Sequence, residues 1–178
     1  MHDKRESERL FSIIHEDAQS WLAKAKQLRM SAAVMWAEFE NAARSDQIHD
    51  GVTERMLAFS GASMLLMGFA FENLLKGIIF ARDPRAKMAR VQGGHGIVAM
   101  ACAVTTLTSD ERYLLERIQV YLTWAGRYQL PKFSQQYHEA QGKVAVTTVD
   151  PKTMNQLFAR LEQFLLTEWE EQQNRHSV

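Results

Sequence analysis

The chain has 178 residues, enough for one domain with a real core and too few for two comfortable ones. Apolar residues make up 46% of it and charged residues 24%, which excludes a disordered polymer. Lys+Arg and Asp+Glu balance at 21 each, so no global charge pulls it toward nucleic acid or a membrane surface.

Three prolines and nine glycines leave long uninterrupted stretches that favour helices over a turn-rich β fold. The single cysteine, Cys102, excludes an intramolecular disulfide and fits a reducing compartment. The start, "MHDKRESERLF", has no apolar signal core. The uncharged, strongly apolar stretch Met56–Phe71 falls short of the roughly 20 residues a membrane span needs. The expectation is a cytoplasmic protein with no membrane segment.

In chain order, Leu10, Ile13, Ile14, Ala18, Trp21, Leu22, Ala25 and Leu28 recur at spacings of three and four. They predict a helix over about 6–46, with a break near Met30–Ser31. "SDQIHDG" (Ser45–Gly51) reads as a connection. A second long helix is predicted from near Val52 to Arg82–Asp83, stopped by Pro84. It is apolar on most of its circumference between Met64 and Phe80, as a central or interface helix would be. A short helix follows at about Gly96–Val104, with Cys102 expected as a small buried core residue.

"TSDE" (Thr108–Glu111) matches a capping box and opens a helix over about 109–125, which Gly126 weakens and Pro131 cannot continue. Residues 127–149 read as extended or irregular, with Lys143–Val149 a candidate strand. Asp150–Pro151 supplies an N-cap and a first-turn proline for a last helix to about Gln172. The fold class expected is an all-α, up-and-down bundle of five or six helices with long central helices, in one domain over 1–178, with at most one minor strand or hairpin.

Most chemical motifs fail on spacing. The six histidines form no pair at helical ligand spacing, so no metal is expected, and no cofactor. "GHGIVA" (Gly94–Ala99) matches a dinucleotide fingerprint literally, but no strand precedes it and no alternating βα pattern follows. Cys102, Ser60 and Ser63 lack the setting of a nucleophile. What remains is polar residues on apolar surfaces. Glu72 and Lys76 stand four apart on the most hydrophobic helix, as a structural ion pair or as one side of a polar cavity with Asn73 and Arg127. Arg127 ends a helix, where the macrodipole and free carbonyls favour a cation. Tyr128 can bury its ring beside it with its hydroxyl bonded. The run Arg82, Arg85, Lys87 and Arg90 faces only one acid, Asp83, and is either a solvated loop or a phosphate contact.

"FAFENLLKGIIFARDP", "GGHGIVAMA" and "LTSDERYLLERIQVYLTWAGRYQLP", in that order, resemble blocks of the HEPN superfamily (higher eukaryotes and prokaryotes nucleotide-binding domain). The resemblance covers about Met64–Pro131. It implies a helical homodimer built through long central helices and associated with RNA. Many such proteins are metal-independent ribonucleases of toxin–antitoxin or antiviral systems, and others only bind RNA or nucleotide. The candidate site residues are Arg127 and His138 as a catalytic pair, Glu72, Asn73, Lys76, Arg127 and Tyr128 as ligand contacts, and Arg82, Arg85, Lys87, Arg90 and His95 as phosphate or RNA contacts.

Ten residues separate Arg127 from His138, a longer gap than the family's arginine–histidine motif has. Arg90 and His95 fit that spacing but lie in the glycine-rich connection. Without a placed histidine, a general acid–base step lacks its agent. The expected function is therefore a non-catalytic, homodimeric module that binds RNA, nucleotide or an antitoxin-like protein. The alternatives are a metal-independent endoribonuclease and a structural module whose Met56, Met64 and Met67 dock another helix.

Overall fold

The computed structural model describes residues 5–7, 17–44, 50–83, 96–128, 130–145 and 150–176. Its helices are α1 (Ala18–Ala43), α2 (Asp50–Arg82), α3 (Ile97–Val104), α4 (Ser109–Val120), α5 (Ser134–Glu139) and α6 (Asp150–His176). The last turn after α4, Tyr121–Ala125, is π-helical. The result is an all-α bundle with no strand among the described residues.

Asp17 starts α1 by accepting bonds from the Gln19 and Ser20 amides at 3.1 and 3.0 Å, which satisfies two orphan donors. Ala18, Leu22, Ala25, Ala32 and Trp36 form its buried stripe. The helix runs through Met30–Ser31 without the expected break. Ser31 turns its hydroxyl back onto the Gln27 carbonyl at 3.1 Å, so the hydroxyl is satisfied within the helix. The residues before Asp17 on which the longer stripe was read lie outside the described ones.

α2 is the spine. Met64, Ala70, Phe71, Leu74, Leu75 and Ile78 are fully enclosed, between α1, α3, α6 and the α4 end. Its C-terminus lies where Pro84 predicts. By length and composition α2 could cross a membrane, but 72% of its apolar window is buried inside this fold. Gly68 lets α4 approach: a Cβ there would stand 2.6 Å from Leu122 Cγ and 3.0 Å from Ile118 Cγ2.

α3 turns Ile97, Ala101 and Val104 inward. That i, i+4, i+7 stripe leaves Cys102 on the outer side, exposed, contrary to the core position expected. The predicted capping box opens α4: Glu111 N donates to Thr108 Oγ1 at 3.2 Å and Thr108 N to Glu111 Oε2 at 2.8 Å. Arg160 of α6 then binds Glu111 Oε2 at 2.7 Å, tying the two helices. α5 occupies a stretch expected to be irregular and buries none of its own residues, so it has no apolar stripe to read. Of the candidate strand, Lys143 is in a turn, Val144 in a bend and Ala145 irregular, and the rest lies outside the described residues. α6 runs past Gln172 to His176, burying Met154, Leu157, Phe158, Leu161 and Leu165.

Candidate functional site: an uncharged groove and its strap

The N-terminal half of α2 is less covered than the C-terminal half. Leu57 is 70% exposed, whereas Leu74 and Leu75 are sealed. Beside it opens a groove of about 840 Å³, within the size range of ligand and partner sites. The ends of α1 and α2 contribute Phe39, Ala42, Val52, Met56, Leu57 and Ser60. The π turn contributes Tyr121, Trp124 and Ala125, and the chain beyond it Tyr128, Tyr137, Val144 and Ala145. Among the described residues, none that lines it carries a formal charge.

The π turn shapes this floor. Gly126 N donates to Tyr121 O at 3.1 Å, five residues back, which widens the helix and re-aims side chains. Gly126 is required there: a Cβ would meet Tyr121 O at 2.9 Å and Leu65 Cβ at 3.0 Å. Trp124 lies under Tyr137, ring centroids 6.5 Å apart, which sets α5 over the turn.

One wall, Val144 and Ala145, belongs to a segment, residues 142–145, that is hung from α4. Arg117 is 2% exposed and grips Asp150 with two bonds, at 2.7 and 2.9 Å. It also donates to the carbonyls of Ala145 and Lys143. Tyr121 Oη donates to Val144 O at 2.6 Å. Burial pushes the Tyr121 hydroxyl's pKa above its ordinary value; Arg117 opposes the rise and Asp150 adds to it. Sequence reading missed Arg117, an arginine in an ordinary amphipathic pattern whose partner lies 33 residues away. The available signal was its place between Tyr113 and Tyr121 on one helix face.

The sequence-derived candidates are scattered. Glu72 and Lys76 pair with each other at 2.5 Å, with side chains 8% and 10% exposed. Asn73 donates to Phe69 O of its own helix at 2.7 Å. Arg127 Nη2 donates to Leu122 O and Thr123 O at 2.8 and 3.0 Å, closing the helix as its C-terminal place predicts. Tyr128 stacks loosely under the Arg127 guanidinium at 5.5 Å but is 62% exposed, not buried as expected, because it follows the last helical turn and faces the open groove.

His138 is exposed and touches Tyr137 edge-on. No hydrogen bond joins it to Arg127 among the described residues, and neither lines the groove. Arg82 binds Glu168 at 2.6 Å and the Val104 carbonyl at 3.2 Å. Arg85, Lys87, Arg90 and His95 lie outside the described residues. Met64 and Met67 are inside this chain's own core, and only Met56 reaches the groove. Among the described residues no cluster of potential metal ligands occurs.

No family model matches the sequence, no curated protein matches it, and no solved structure matches the fold.

Proposed function

We propose that this chain is a non-catalytic, HEPN-like, cytoplasmic binding module that works as a homodimer, with the groove and the uncovered start of α2 as its association face. The observation that carries this reading is the groove's uncharged, ring-rich lining. A phosphate backbone needs cations along its path, whereas desolvated aromatic and aliphatic side chains are what protein partners bury. The same face offers both a receptor and a projecting anchor, since Leu57 stands 70% exposed at its edge. A patch holding both can meet its own copy across a two-fold axis. The resemblance likewise implies pairing through the long central helix. RNA or nucleotide contacts would be carried by Arg82, Arg85, Lys87, Arg90 and His95, of which Arg82 does not line this face.

Sedimentation of the full chain and of Leu57→Glu tests the reading. The expected result is a dimer that the variant converts to monomer with unchanged helical content. A wild-type monomer at micromolar concentration would overturn it. The ribonuclease alternative requires cleavage of total RNA in EDTA that Arg127→Ala abolishes; no cleavage is the expected result.

A further inference from the structure

Tyr113, Arg117 and Tyr121 stand four residues apart, so they form one stripe along α4 and into the π turn. Opposite them, four consecutive carbonyls are each taken by a donor from that stripe. Tyr113 Oη reaches Gly142 O at 3.5 Å and Arg117 Nε reaches Lys143 O at 3.4 Å. Tyr121 Oη holds Val144 O at 2.6 Å and Arg117 Nη2 holds Ala145 O. The Tyr121 bond is a firm pin, and the first two are long. Lys143 adds an ion pair to Glu116 at 3.2 Å. Gly142, at φ +78°, turns the chain into this segment, and Arg117 is itself fixed by Asp150 at the head of α6. Val144 remains 43% exposed, so the segment is held far more by polar pins than by burial.

We propose that residues 142–145 are a latch: a strap bound in register to the Tyr113–Arg117–Tyr121 stripe, which releases as a unit and takes the Val144–Ala145 wall of the groove with it. Segments held by few apolar contacts open at lower free energy than the core around them. Its regulatory use rests on the groove being the association face; its opening does not.

Trypsin acting on the folded full chain reads the opening directly, because Lys143 places a cleavable bond inside the strap. In Tyr121→Phe one firm pin is gone, and cleavage after Lys143 is expected to rise about five-fold, the weight of one hydrogen bond. Cleavage after Lys132 and Lys152, outside the strap, should be unchanged. Arg117→Lys, which keeps the charge but not the forked geometry, is expected to act more strongly; should it fail to fold, Tyr121→Phe alone decides. No rise at Lys143, or an equal rise at all three bonds, overturns the latch. Sedimentation of Tyr121→Phe separates the two readings. A strap that opens beside an unaltered dimer keeps the latch and removes the groove from the association face. A closed strap with a dimer still sensitive to Leu57→Glu does the reverse.

Discussion

Arg117 and Asp150, 33 residues apart in the chain, meet in a forked ion pair at 2.7 and 2.9 Å with side chains only 3% and 5% exposed. Breaking such a pair from one side strands the other charge without water and costs about 3–5 kcal/mol. Asp150→Asn should therefore lower the unfolding free energy, measured by urea denaturation, by an amount in that range. Arg117→Met should cost at least as much, because the Lys143 and Ala145 carbonyls lose their donor too. The double variant should be more stable than the sum of the single losses predicts. Strict additivity across that cycle would mean the two charges do not depend on one another.

Gly68 opposes two tendencies that can be weighed. An alanine in mid-helix gains about 1 kcal/mol in propensity over glycine. Its Cβ, however, would press on Leu122 Cγ at 2.6 Å and Ile118 Cγ2 at 3.0 Å, and overpacking of this kind costs about 1–3 kcal/mol. Gly68→Ala is expected to be destabilising on balance. A gain in the thermal midpoint would show that α4 can step back from α2 at no cost.

What could be read in advance divides along a physical line. The capping box at Thr108–Glu111, the stop before Pro84 and the stripe of α6 are local, and each is specified by neighbours in the chain. The groove is not local. It is assembled from the ends of α1 and α2, a widened turn and a strap, and no one segment carries a signal for it. The Arg117–Asp150 pair is invisible for the same reason. Cys102 was misplaced because composition makes α3 look uniformly apolar, whereas its eight residues can turn only one stripe inward. The exposure of Tyr128 follows from how the π turn releases the chain, which periodicity at 3.6 residues does not anticipate.

Tyr121 gives the protein an alkaline weakness of known sign. Burial raises its folded-state pKa above the ordinary value, so between the two values the folded form holds a proton that the unfolded form has lost. The stabilisation is complete below about pH 10 and drains away as pH climbs through the folded value. Tyr121→Phe lacks the bond to Val144 at every pH and should be about 1 kcal/mol less stable at pH 8. The gap to wild type should shrink on the way to pH 11, measured by urea unfolding at each pH. A constant gap would mean Tyr121 titrates alike in both states.

Arg127 closes its helix with two bonds from one nitrogen, to the Leu122 and Thr123 carbonyls. Arg127→Ala should cost about 1 kcal/mol, the weight of lost capping at an exposed terminus. Association should be unaltered, since Arg127 does not line the groove. A shift in the dimer equilibrium, with stability held, would put this guanidinium at the interface.

Cys102 stands on the outer side of α3, exposed, with an Arg112 nitrogen 3.3 Å from its Sγ. A thiol in that position reacts in the folded state, because no opening of the bundle is needed to reach it. The native chain should release one equivalent of chromophore from a disulfide reagent, at a rate within a few-fold of the urea-unfolded chain. Were the native thiol to react only as fast as the protein unfolds, α3 would have to sit turned on its axis, with Ile97, Ala101 and Val104 no longer its inner stripe.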